Sequence, residues 1–133
     1  MLKKTVATSG ASSVVIMDSI TKVAPEDKGA IVITASHGGA SSGEFALQVP
    51  LRLVIFNDAG IGKDNAGIAA LAMLEAEKIA AGTTSHTSAR IGDSADMWEH
   101  GVISHLNIQA QTLGLKVGEK LSTAVLKVLG KTE

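Results

Sequence analysis

Cysteine and tyrosine are absent from this chain, and two phenylalanines and one tryptophan are its only aromatic residues. The first absence excludes disulfides and thiolate metal sites, and it fits a cytoplasmic protein. The scarcity of aromatic rings removes the platforms on which nucleic acid bases stack. Charge of one sign is also missing: twelve basic and thirteen acidic side chains leave a formal net charge of −1, with no basic stripe. Nucleic acid is therefore not an expected partner. No apolar run approaches the ~18 residues that a membrane-spanning helix needs, so no membrane partner is expected. The start, Met1-Leu2-Lys3-Lys4, is basic but leads into no long apolar region, and the expectation is no signal peptide.

What is present is aliphatic. Hydrophobic residues make up 45% of 133 positions, which suits one compact domain over residues 1–133 with a core of Val, Ile, Leu and Ala. Fourteen glycines against two prolines point to many tight turns and close backbone approaches.

Three polar, glycine-flanked segments recur along the chain. Ser36 to Gly43 follows the apolar run Ala30 to Ala35, and Asn57 to Asn65 follows Leu51 to Phe56. Ser85 to Asp93 follows the weaker run Thr83 to His86, with which it shares its first residues. Val14 to Met17 reads as a first strand, at the edge or antiparallel, because a loop and not a helix joins it to the next. Helices are expected at 41–48, with Ser41 or Ser42 as cap, and at 66–81, capped by Asp64 or Asn65 and stopped by Gly82. A further helix containing Met97 and Trp98 is expected from Asp93 or Ser94 to Gly101. Another is expected over 102–113, and an amphipathic helix over 117–129. The alternation predicts an α/β fold: a single three-layer domain with a small, mostly parallel sheet of about four strands covered by helices. Parallel strands would bring the three polar segments to one edge, where open α/β sheets bind ligands.

In the first segment, Gly38 and Gly39 allow close backbone approach, and Ser41 and Ser42 offer hydroxyls for a carboxylate or phosphate. His37 is a candidate acid, base or metal ligand. Gly39-Ala40-Ser41-Ser42-Gly43 also fits the G-x-S-x-G pattern of a nucleophile elbow. That pattern places the serine directly after a strand, whereas Ser41 lies several residues beyond. In the second segment, Asn57 and Asp58 end the strongest strand, and Lys63 offers a point charge for an anion. Asn57 and Asp64 break the phosphate-loop pattern, and Asn65 breaks the dinucleotide pattern, so no nucleotide cofactor is indicated. In the third, His86 is a second candidate acid or base, and Arg90 a planar clamp for an anion. Ser104, His105 and Asn107 reach the crevice only if their helix starts there. His37, Asp58 and His86 also make up a conceivable three-ligand metal set. No H-x-H or H-E-x-x-H motif accompanies them, and no metal is assigned.

The sequence points to an enzyme acting on a small polar, anionic or carbonyl-bearing metabolite by general acid/base chemistry. His37 or His86 is the general acid or base, because imidazole titrates near neutral pH. Asp58 orients that imidazole, while Gly38, Gly39, Ser41, Ser42, Asn57, Lys63 and Arg90 bind substrate. The cofactor is unknown. The competing expectations are a non-catalytic module that binds or senses a small anion, and a structural subunit. A homo-oligomer is expected in each case.

Overall fold

The computed structural model describes residues 1–130, so the last three positions of the expected 1–133 domain lie outside the described residues. Six strands form one sheet whose spatial order is the chain order. They are β1 (Lys3–Ser9), β2 (Ser12–Met17), β3 (Ile31–His37), β4 (Leu53–Asn57), β5 (Ala80–Thr84) and β6 (Ile103–Leu106). β2 to β5 are parallel to one another, while β1 and β6 pair antiparallel at the two edges. Among the described residues, five α-helices complete the fold: α1 (Ala40–Ala46), α2 (Ala69–Ala76), α3 (Ser94–His100), α4 (Ile108–Thr112) and α5 (Leu121–Leu129). Among the described residues, no helix is long and apolar enough to cross a membrane.

Strand alternation explains the layering. Val14, Ile16, Ile31, Ile33, Leu53 and Ile55 point to one face, where Met97 of α3 and Leu121, Val125 and Val128 of α5 cover them. Val15, Met17, Val32, Val54 and Phe56 point to the other, against Ala46 of α1 and Ala70, Leu71 and Leu74 of α2. The central strands are therefore buried on both faces, which is why they read as continuous apolar runs. Each fully buried Val, Ile or Leu side chain contributes about 1.5–3 kcal/mol.

The observed fold is α/β with a mixed sheet, and it corrects the expected count of about four strands. β1 carries no apolar run, because it is an edge strand with mostly exposed or half-exposed residues. Its two lysines suit a position that must resist further pairing. Val14 to Met17 is interior and parallel to β3, not an edge.

The expected helix 66–81 is instead a 3-10 turn (Lys63–Ile68), the short α2 and then β5. Lys78, at φ 62°, ends the helical path. Ala80 and Ala81, which favour helix locally, are buried in the sheet, a case of tertiary context overriding propensity. Gly82 is no helix stop. It sits mid-strand, where a Cβ would lie 2.7 Å from the Leu106 side chain. The expected helix 102–113 is β6 followed by α4. α1 is capped by Gly39, with no side-chain cap from Ser41 or Ser42. Asp64 and Asn65 cap nothing either: both take left-handed φ, 56° and 59°, inside the 3-10 turn.

Candidate functional site

The connection leaving β4 leads to α2 on one face of the sheet, whereas the connection leaving β5 leads to α3 on the opposite face. Adjacent parallel strands whose connections diverge create a crevice at their carboxyl ends. Asp58 follows β4 and His86 lies two residues past β5, so both stand at this divergence.

Asp58 is 4% exposed. Its Oδ1 accepts hydrogen bonds from the Gly60 N–H at 2.8 Å and the His86 N–H at 3.1 Å. The same oxygen lies 3.4 Å from His86 Nδ1, and Oδ2 lies 3.8 Å from His105 Nδ1. Both distances are longer than a hydrogen bond. Catalytic hydrogen bonds commonly tighten only once substrate is bound. Burial pushes the Asp58 carboxyl up. The Gly60 N–H, the Ser104 hydroxyl, the His86 N–H and the charge of His105 outweigh it, and the pKa falls below its ordinary value. The carboxylate therefore stays ionised, with one imidazole on each side.

The second imidazole comes from β6. Thr83 Oγ1 lies 2.8 Å from Ser104 Oγ and 3.3 Å from His105 Nδ1, so three polar side chains of β5 and β6 support one another. Both ring Nδ1 atoms face Asp58, and no hydrogen bond engages either Nε2 among the described residues. His86 is half-exposed, while His105 borders a groove of about 470 Å³ between α2 and β6 that Leu71, Glu75 and Ile108 also line.

The loop after β4 holds Asp58 in place under strain. Ala59, Gly60, Ile61 and Gly62 all have positive φ, from 52° to 79°. A non-glycine residue there costs about 1–2 kcal/mol, and Ala59 and Ile61 are two such residues. The Asn57 side chain supports this path: its Oδ1 accepts the Ala59 N–H, and its Nδ2 donates to the Ala89 carbonyl. Gly67 closes the loop, because any Cβ there would strike the Asp58 carbonyl.

The segment after β5 crosses the top of the sheet. It is tied to β4 by Asn57–Ala89, to β3 by the Gly92 N–H on the Ala35 carbonyl, and to the end of β2 by Ser94 on Asp18. On its far side lies a separate cavity of about 450 Å³ at the exits of β2 and β3. His37, Ser41 and Ser42 line it, together with Asp18, Phe45 and Ile91.

The sequence-predicted residues thus divide. Asp58 and His86 meet; His37 opens on the other cavity with Ser41 and Ser42. Asn57 is fully buried with both ends of its amide engaged by backbone, which makes it a positioning residue. The Gly38 N–H is taken by the Asn57 carbonyl at 3.0 Å, so it is not available to a substrate. Gly38 is glycine because a Cβ would come within 2.5 Å of the Gly67 carbonyl. Gly39 is buried under the His37 ring. Lys63 and Arg90 are exposed, and neither side chain contacts Asp58, His86 or His105. Arg90 engages Asp96 through its backbone N–H alone.

Ser104 and His105, expected at the crevice only from a helix start, reach it from a strand instead, whereas Asn107 is taken up by the backbone of Ala81, Ala110 and Ile79. The β-branched pair Val102-Ile103 just before Ser104 is the signal for that strand. Among the described residues, no group of three or more His, Asp and Glu side chains is placed to hold a metal ion. Comparison with protein-family models, curated proteins and solved structures finds no match to this chain.

Proposed function

We propose that this protein is an enzyme that transforms a small polar, anionic or carbonyl-bearing metabolite by general acid/base chemistry at the exits of β4 and β5. The observation that carries the reading is one buried carboxylate facing the Nδ1 atoms of two imidazoles. A carboxylate so placed fixes ring orientation and stabilises the imidazolium formed when Nε2 takes a proton. With two rings around a single carboxylate, one can act as acid while the other acts as base. His86 and His105 are the proton-transfer groups in this scheme and Asp58 the orienting residue. Hydrolysis, isomerisation and elimination can each use such a pair.

The test is a turnover screen of small carboxylates, esters, lactones and hydroxy acids against the wild type, Asp58→Asn, His86→Gln and His105→Gln. A positioned acid or base contributes about 10²–10⁴-fold. The expected result is a reaction that falls at least 100-fold in His86→Gln and in Asp58→Asn while both variants stay folded. A compound that binds beside His86 and is returned unchanged would favour the binding-module reading. A turnover that survives both substitutions would overturn the proposal.

A further inference from the structure

We propose that the cavity at the exits of β2 and β3 is a second ligand site, distinct from the Asp58 cluster, that takes a neutral hydroxyl- or carbonyl-bearing molecule with a flat apolar face. The first support is Ser42. It is 6% exposed and lines the cavity, and its hydroxyl, which has no protein partner among the described residues, opens on the cavity's solvent. A ligand that takes the place of water on this hydroxyl gains about two- to tenfold in affinity, the net worth of one hydrogen bond. Ser41 and the His37 ring stand beside it with their polar atoms equally unengaged.

The remaining polar groups are already occupied. Ser36 accepts the Ile20 N–H, and Ser19 and Thr21 bond each other. The free donors and acceptors are thus confined to one wall, where a single polar head can meet them together.

Charge fixes the class of ligand. No lysine or arginine lines the cavity, and its one carboxylate is Asp18. Asp18 Oδ1 accepts both the N–H and the hydroxyl of Ser94, at 3.0 and 2.7 Å, and Oδ2 accepts the Leu2 N–H at 2.8 Å. The amino group of Met1 adds a nearby positive charge. Asp18 is therefore matched by the protein itself and asks for no cation. Apart from His37, no basic side chain lines the cavity to hold an anionic ligand.

The opposite wall is apolar. Ile20 is buried and Phe45 half-buried, while Ile91 is 47% exposed at the mouth. An exposed isoleucine beside a phenylalanine and a cavity of this volume matches the general form of small-molecule pockets, mostly apolar with a few convergent polar groups.

The test uses benzyl alcohol, benzoate and benzylamine, three probes that share a ring and differ in charge. Binding is followed by amide chemical shifts of the wild type and of Ser42→Ala. Benzyl alcohol is expected to move the amides of residues 36–45 and of Ile91 and Gly92, and to leave the His86 and His105 ring signals in place. Benzoate should bind about fivefold more weakly or worse, corresponding to roughly 1 kcal/mol for a charge left without a partner. Ser42→Ala, which retains the helix, should weaken the alcohol about two- to tenfold, the range for one hydrogen bond. Shifts confined to residues 58–68 and 104–106, no shifts at all, or benzoate binding as tightly as the alcohol would overturn the proposal.

Discussion

The carboxyl edge of the sheet holds two polar regions that differ in where their polar atoms point. Around Asp58 the polar groups face one another. Asp58 meets two imidazoles, Ser104 meets Thr83, and Asn57 meets two strands of backbone. Around His37 the reverse holds: Ser41, Ser42 and the imidazole face an open space backed by Phe45 and Ile91. Polar groups that satisfy one another are pre-organised, and a fixed carboxylate–imidazole geometry is what proton transfer needs. Polar groups left facing a void are poised to receive a ligand. The two regions share the segment that crosses from β5 to Asp18, so one chain path frames both without joining them.

The largest effects should appear where the first region is packed most tightly. Gly67→Ala forces a Cβ onto the Asp58 carbonyl, and urea unfolding should show a loss of about 3 kcal/mol or more. The same change at Gly92, beside the second cavity, meets nothing within 4 Å and carries only the left-handed penalty of φ 84°. It should lose about 1–2 kcal/mol. Equal losses at the two positions would break the contrast. Next comes Asn57→Ala, which leaves the Ala89 carbonyl and the Ala59 N–H without their partner and should destabilise by about 2 kcal/mol in the same assay.

Titration sharpens the contrast further. Burial raises Asp18, but the N–H groups of Ser94 and Leu2, the Ser94 hydroxyl and the amino terminus outweigh it, so its carboxyl, like that of Asp58, is depressed. A carboxyl depressed in the folded state binds protons more weakly there than in the unfolded chain. Its stabilisation is complete above the ordinary carboxylate range and is lost as pH falls through the folded value, so acid unfolding should set in below about pH 4. Ser104→Ala should raise the Asp58 titration and leave Asp18 in place; Ser94→Ala should do the opposite. Carboxyl carbon shifts read both, and movement of both carboxyls in either variant would show one coupled network. The smallest effect is expected from His37→Gln. Its ring is exposed and makes no hydrogen bond, so stability should change by no more than about 0.5 kcal/mol.

Much of this edge was legible in the chain. Runs such as Ile31 to Ala35 and Leu53 to Phe56 could only be strands buried on both faces. The polar residues that follow them could only be exits. The less apolar strands were hidden. β1 is an exposed edge of Lys, Thr, Val, Ala and Ser, and the alanines of β5 carry the composition of a helix. Reading β6 as helix made the place of His105 depend on where a helix starts, whereas strand pairing sets it opposite Thr83. Which exits share a crevice was not legible either. It depends on the face to which each connection turns, and the local pattern around His37 resembles that around His86.

The central claim is that Asp58 holds the Nδ1 of His86 and of His105 while His37 belongs elsewhere. Two-bond proton–nitrogen correlation spectra of the imidazoles, recorded for the wild type and Asp58→Asn, test it directly. The account predicts the proton on Nδ1 in the neutral His86 ring, a change in the His86 and His105 patterns on substitution, and an unchanged His37. A His86 ring protonated on Nε2 and indifferent to the loss of the carboxylate, or a His37 pattern that moves with it, would contradict it.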